Sequence, residues 1–510
     1  HAPSAGDITA STGTGTQNDN SLFSYFGRAF YSYDDRYLIT ATLRRDGSSH
    51  FAKNNRWGWF PSAALAWRVS NEKFMAGTSD VINNLKLRLG WGSTGNQNVS
   101  DWAYMALLSS KTTPWGTGVL TANTANPDLK WETTTSYNVG LDLNLFDNRI
   151  EFIFDWYYKK TKDLLLQIPL PEYLGSYGQG AASNPWKNVG SLRNTGIEMT
   201  LNTVNIDKGG FQWRSNFVFS LNRNKVLKLD TESATIDKTF MTGSENNTVT
   251  RTVEGKPVGQ FWGYKVIGRF EKAEDFYYKD KDGNVKPVAL PEGSSIGEDK
   301  TWIGDYIFED INGDGVINNS DCTFIGDPQP DFTYGIGNTF SYKGFDLTIF
   351  FSGSYGNDIL NYTRRDIEDV RVNSNLLKSA ADYAQIGVID PNLPHDDFPY
   401  VTNPSSRLPR LSASTTNANN RVSDLYVEDG SYIRLQNISL GYTLPKSFVR
   451  KLKLENVKVY MNLQNVYTWT NYSGYDPEVG SMYGDALLTG LDYGRYPSPR
   501  IYTFGLNISF

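Results

Sequence analysis

Residues 500–510 alternate with a period of two. Tyr502, Phe504, Leu506, Ile508 and Phe510 share one parity, and Thr503, Gly505, Asn507 and Ser509 share the other. Successive side chains of a strand point to opposite faces, so this segment is apolar on one side and polar on the other. Its length matches the roughly 9–11 residues that a tilted strand needs to cross a bilayer. Few architectures accept such a strand, and the same pattern recurs along the chain.

Leu85, Leu87, Leu89 and Trp91 alternate with Lys86, Arg88 and Gly90; Tyr137, Val139, Leu141, Leu143 and Leu145 alternate with Asn138, Gly140, Asp142 and Asn144. Ile150, Phe152, Phe154, Trp156 and Tyr158 oppose Glu151, Asp155 and Lys159, and similar runs start at Phe211 and Val457. Weaker versions lie near 22–31, 36–45, 57–68, 196–203, 334–342 and 345–352. Within 432–444 the phase changes, Ile433 and Leu435 sitting on one parity and Ile438, Leu440 and Tyr442 on the other, which predicts a β-bulge. About fourteen strands follow from this count.

The 510 residues include 14% aromatics but only 39% hydrophobic residues, with 46 glycines. No run approaches the ~18 apolar residues of a membrane helix, and disordered chains are aromatic-poor. A net charge of −6 with interspersed signs gives no basic footprint for nucleic acid. The single cysteine, Cys322, permits no internal disulfide, and His1, His50 and His395 are too scattered for a zinc or histidine-based catalytic site.

Alternation alone fits either a sandwich, with polar faces outward, or a membrane barrel, with lipid outside and a polar lumen. Strand length and clustered aromatics (Trp57 and Trp59; Trp156, Tyr157 and Tyr158) favour the barrel over a secreted multi-sandwich protein. Long polar loops near 95–130, 170–190, 230–258, 270–332, 356–430 and 466–498 alternate with short turns such as Asp147-Asn148 and Lys343-Gly344. That asymmetry is typical of outer-membrane barrels, whose long loops face outward. The expected fold is therefore all-β, an antiparallel transmembrane β-barrel with long extracellular loops.

Several segments resemble the SusC/RagA-like TonB-dependent outer-membrane transporters of Bacteroidetes. They include Ser24-Tyr-Phe-Gly-Arg-Ala-Phe-Tyr-Ser-Tyr-Asp-Asp-Arg-Tyr-Leu38, Asn55-Arg-Trp-Gly-Trp-Phe-Pro-Ser62, Asn188-Val-Gly-Ser-Leu-Arg-Asn-Thr-Gly-Ile-Glu198, Val427-Glu-Asp-Gly-Ser-Tyr-Ile-Arg-Leu435 and Tyr472-Ser-Gly-Tyr-Asp-Pro-Glu478. The resemblance runs end to end. It implies a barrel of about 22 strands, of which residues 1–510 would supply the carboxy-terminal part, with the plug domain and amino-terminal strands expected elsewhere. It further implies a multi-pass protein of the outer membrane that imports glycans or peptides together with a SusD-like surface lipoprotein lid. The resemblance also implies that TonB would act through the plug and that pairs of transporter and lid would associate as a dimer, with no enzymatic chemistry required. Phe510 resembles the terminal aromatic signal of outer-membrane assembly.

Asp310-Ile-Asn312-Gly-Asp314-Gly-Val316-Ile-Asn318-Asn-Ser-Asp321 fits a twelve-residue calcium loop. Oxygens at positions 1, 3 and 5 converge when glycine at 6 allows a sharp turn, and a carbonyl at 7 and a carboxylate at 12 complete a shell for Ca2+ or Mg2+. Asn-Gly and Asp-Gly turns explain the same residues without an ion. Gly90-Trp-Gly92-Ser-Thr-Gly95 matches a dinucleotide fingerprint but has no following helix, and is read as barrel turn residues. Loop aromatics Trp102, Tyr104, Trp115, Tyr173, Tyr177, Trp186, Trp469 and Tyr475 are candidates for stacking on substrate or for anchoring a protein partner. Acid pairs Asp396-Asp397 and Asp327 with Asp331 carry little weight as a glycosidase dyad. Three functions stay open: an energised transporter, a passive porin, and a secreted glycan-binding or adhesive β protein.

Overall fold

A computed structural model describes residues 19–113, 116–168, 182–230, 234–243, 245–369, 371, 375–387, 399–412 and 417–510. The chain divides into two compact units, His1–Val204 with Asn222–Ala234, and Asn205–Leu221 with Thr235–Phe510. Thirteen long strands, antiparallel in chain order, account for nearly every periodic run of the sequence.

The first unit holds β1 (Leu22–Tyr33), β2 (Tyr37–Ser48), β3 (Trp57–Arg68), β4 (Ile82–Asn96), β5 (Glu132–Leu145) and β6 (Ile150–Lys162). β7 (Ser191–Lys208) and β8 (Phe211–Lys228) each run from one unit into the other. The second unit continues with β9 (Phe332–Tyr342), β10 (Phe345–Tyr355), β11 (Tyr432–Thr443), β12 (Asn456–Thr470) and β13 (Ile501–Ser509).

Register places apolar residues opposite apolar ones. Leu87, Leu141 and Phe154 lie side by side on β4, β5 and β6, as do Leu89, Val139 and Trp156. In the second unit Leu347, Leu440, Met461 and Phe504 do the same. This parity is the exposed one: Leu89 is 53% and Phe504 75% exposed. A sandwich would bury it, because each large apolar side chain gains about 1.5–3 kcal/mol on leaving water.

The opposite parity is cross-linked by polar groups. Arg88 bonds Asp142 and Asp155, Lys86 pairs with Asp142, and Lys458 pairs with Asp346. Asn202 donates to Glu151 at 2.8 Å and Asn437 to Asn462 at 2.8 Å. Apolar outside and polar, hydrogen-bonded inside is the arrangement of a membrane barrel wall. Among the described residues no helix is long and apolar enough to cross a membrane, which says nothing of strands.

The connections alternate in length as expected. Gly209 and Gly210 (φ 63° and 81°) and Lys343 and Gly344 (φ 47° and 91°) form two-residue turns with both central residues left-handed, the conformation whose twist suits a hairpin. Asp147 and Asn148 are also left-handed, at φ 56° and 60°. At the other strand ends lie the long connections 97–131, 163–190, 229–331, 356–431 and 471–500. The bulge is real: Phe350 faces Asn437 and Phe351 faces Leu435, leaving Gln436 as the extra residue.

Three expectations need correction. Gly90, Gly92 and Gly95 are not turn residues but lie inside β4. At Gly95 the smallness serves close packing, since a Cβ there would stand 2.1 Å from the Phe60 ring and 2.8 Å from Trp131. Tyr157 is not part of an outward aromatic girdle, because it alternates inward and donates to Asn222 at 3.0 Å. The stretch from 230 to 332 is no pair of plain polar loops: it carries the strands Thr235–Thr242, Glu245–Val253, Gln260–Gly263 and Thr323–Gly326, hydrogen-bonded as one small sheet.

Buried apolar clusters accordingly draw mainly on the connections, with Phe60 added from β3. In the first unit Phe51, Phe60, Val99, Leu129, Trp131 and Leu165 pack together. In the second, Phe240, Val249, Phe261, Leu360, Tyr362 and Leu491 do so.

Candidate functional site

The small sheet of the second unit builds one wall of a polar cavity of about 550 Å³. Phe240, Val249 and Phe261 of this sheet point into the buried cluster, and a bulge at Val249, opposite Lys238 and Thr239, puts Arg251 on the other face, toward the cavity. Asp237 and Arg251 are direct cross-strand partners, and Arg251 grips both carboxylate oxygens at 2.7 and 2.6 Å. The same guanidinium lies 3.9 Å from the centroid of Trp262, a cation–π contact. Trp262 is held edge-on by Phe324 at 5.0 Å.

The facing wall comes from the connection 356–431. Asn361 caps the short helix Tyr362–Ile367 by accepting from the Arg364 amide. That helix presents Arg365, which is buried and reaches three acceptors: the Asn420 carbonyl at 2.7 Å, Asp366 at 2.8 Å and Glu245 at 2.6 Å. Burial pushes the Glu245 carboxyl up, but the bond from Arg365 and the charges of Arg365 and Arg371 hold it below its ordinary range. A second cavity of about 540 Å³ opens on the other side of Glu245, Arg365 and Asn420, with Asp366 and Tyr493 on its wall. Burial raises the Asp366 carboxyl.

Tyr264 and Arg421 complete the first cavity. Arg421 lies over the Tyr264 ring at 4.9 Å and donates to its hydroxyl at 3.2 Å, and that hydroxyl donates to Asn319 Oδ1 at 3.1 Å. Burial pushes the Tyr264 hydroxyl up to about 12 and the neighbouring Cys322 thiol up to about 11. Planar rings, amides and paired charges around a wet concavity suit recognition of a polar, hydroxyl- or amide-rich ligand.

The candidate cation loop abuts this cavity through Asn319 and Cys322. Asp310 accepts from the amides of Gly313 and Gly315 at 2.7 and 2.9 Å, Asn312 from Asp314, and Asp314 from Val316. Asp321 is fully buried and accepts from the amides of Ile311 and Asn318, while Asn318 accepts from that of Ser320. These bonds account for the loop conformation from its own polypeptide. Among the described residues no three His, Cys, Asp or Glu side chains converge as a metal-binding group, so a cation would also need Asn312 and the Val316 carbonyl.

The aromatic candidates are not assembled into one site. Trp102 is 44% exposed and left-handed at φ 61°, while Tyr104 and Trp186 pack against the buried cluster of the first unit. Trp115, Tyr173 and Tyr177, with His395, Asp396 and Asp397, lie outside the described residues. Trp469 stacks edge-on with Tyr467 at 4.7 Å on β12, and Tyr475 and Phe510 are exposed. Sequence reasoning passed over Trp262, Tyr264 and Arg365. They carry no local signal, since the cavity depends on contacts such as Glu245 to Arg365 that no short pattern encodes.

A family model described as TonB dependent receptor-like, beta-barrel matches residues 1–295. The chain is 38% identical over 505 residues to TonB-dependent receptor P3 of Formosa agariphila, covering 97% of this chain and 46% of that protein. It is 32% identical over 505 residues to TonB-dependent receptor SusC of Bacteroides thetaiotaomicron, covering 96% and 44%. The chain thus spans about half the length of the curated relatives it matches. Its fold is similar to that in the structure of the RagAB peptide transporter, with a TM-score of 0.74 at 22% identity over 100% of this chain and 50% of that one.

Proposed function

The chain belongs to the TonB-dependent receptor-like β-barrel family and is SusC-like, and we propose on that premise that it is the carboxy-terminal wall and outer loops of an energised importer. Its place is the outer membrane. The observation that carries the importer reading is the inverted pair of faces, apolar and exposed against polar and cross-linked, topped by folded connections that enclose polar cavities. The cavity beside Trp262, Tyr264 and Arg365 is the proposed ligand contact of this part of the receptor, taking oligosaccharides or peptides. A SusD-like lipoprotein would close over the long connections, and TonB would act through the plug in the rest of the protein. The walls would bind and release cargo without covalent chemistry.

The test is uptake by cells carrying the full-length receptor, offered labelled oligosaccharides and peptides. Saturable uptake that a protonophore or loss of TonB abolishes supports the reading. Uptake indifferent to both would make the protein a passive pore instead. Within this reading, Trp262→Ala and Arg365→Ala should weaken ligand capture by the purified receptor while leaving its detergent-resistant barrel intact.

The loop Asp310–Asp321 is proposed to take Ca2+ or Mg2+ as a structural ion. Support comes from the oxygen spacing and from its position behind Asn319, where it would stiffen the cavity wall.

A further inference from the structure

The outward face of β5, β6 and β7 changes chemistry abruptly toward the long connections. From Leu145 opposite Ile150 to Tyr137 opposite Tyr158, the outward residues are uncharged: Leu143 and Phe152, Leu141 and Phe154, Val139 and Trp156. This stretch has the length of an apolar band, and it ends on the ring pair Tyr137 and Tyr158, 6.3 Å apart. The next outward positions are Lys160, directly opposite Arg193, and then Lys162, opposite Ser191.

Two cations placed directly opposite each other on neighbouring strands repel. Among the described residues nothing neutralises them: Lys160, Lys162 and Arg193 form no ion pair, and the Arg193 Nε is buried without a hydrogen-bond partner. On β5 they face Thr135 and Thr133. The acids close by in sequence are engaged elsewhere, Asp163 with Lys130 at 3.2 Å and Glu132 with Asn96 and the Leu165 amide.

We infer that Lys160, Lys162 and Arg193 bind a phosphate group of an outer-leaflet lipid. The row lies one step beyond the aromatic edge of the apolar band, where headgroups sit, and on the side of the long connections, which face outward in such barrels. An anion bridging Lys160 and Arg193 turns their repulsion into attraction, and Thr135 offers a hydroxyl beside it.

The experiment titrates the full-length receptor, delipidated in detergent, with bisphosphorylated lipid A and with the same lipid dephosphorylated, reading bound lipid by native mass spectrometry. The wild type should prefer the phosphorylated lipid. Each cation removed in the series Lys160→Gln, Lys162→Gln and Arg193→Gln should weaken it about fivefold, and the charge-preserving Lys160→Arg/Arg193→Lys variant should retain it. Equal binding of both lipids, or an unchanged triple variant, overturns the inference. Displacement by an equal concentration of inorganic phosphate would assign the row to free phosphate and overturn it too. If the triple variant fails to fold, the two lipids on the wild type still decide. The readout is bound lipid, so its failure leaves the importer reading untouched.

Discussion

Arg88 and Asp155 form a two-pronged ion pair across an intervening strand, both contacts at 2.9 Å. The position between them on β5 is Gly140, paired with Arg88 on one side and Asp155 on the other. A Cβ there would stand 2.5 Å from the Arg88 Cζ. Gly140→Ala should therefore displace the guanidinium and cost about 1–2 kcal/mol, a modest figure because the pair is partly solvated. Denaturation midpoints of Gly140→Ala, Arg88→Ala and the double variant check this. The double variant should lose little more than either single one, whereas full additivity would separate the glycine from the ion pair.

Cys322 should be a slow nucleophile. Burial pushes its thiol up to about 11, so little thiolate exists at neutral pH, and thiolate is the reactive form. Alkylation of the folded protein at neutral pH should proceed far more slowly than that of the unfolded protein. Equal rates would contradict the packing around Tyr264 and Cys322.

Glu245 ties the cavity wall to acid. Its carboxyl is held below its ordinary range when folded, so the contribution to stability is present above the unfolded value of about 4. It is lost as the pH falls through the folded one. Protease cleavage in the stretch 235–253 should rise at acid pH in the wild type. In Glu245→Gln the cleavage should already be raised at neutral pH and should respond less to acid.

The loop Asp310–Asp321 is testable through Asp314, which is exposed and accepts only local bonds. Asp314→Asn keeps an acceptor for the Val316 amide, loses the one for the exposed Asn312 side chain, and removes a charge. Calcium should protect the wild-type loop from proteolysis at lower concentrations than it protects Asp314→Asn. Indifference of both proteins to calcium leaves the hydrogen-bonded turn as the whole account.

The strands were legible because a half-polar ladder writes its period into the sequence, and even the bulge at Gln436 showed as a phase change. Alternation by itself did not separate sandwich from barrel, because both give the same string; strand length and the clustered aromatics at Trp57, Trp59 and Trp156 tipped the reading to the barrel. The glycines of β4 were misread for a related reason: Gly95 is small on account of Phe60 and Trp131, residues far away in the chain. The cavity was hidden most completely. Its partners, Glu245 with Arg365 and Tyr264 with Arg421, join segments more than a hundred residues apart, and the aromatic residues chosen by loop position alone included two, Tyr104 and Trp186, that pack against a core.

The central claim, that the apolar parity faces lipid and the polar parity an aqueous interior, is tested most directly by site-directed spin labelling along β6. Labels at successive positions from 150 to 158, in a full-length Cys322→Ser background reconstituted in bilayers, report oxygen and nickel-chelate accessibility. Oxygen accessibility should peak at positions 150, 152, 154 and 156, with nickel-chelate accessibility higher at 151 and 155. A profile without that two-residue period, or with its phase reversed, would contradict the account.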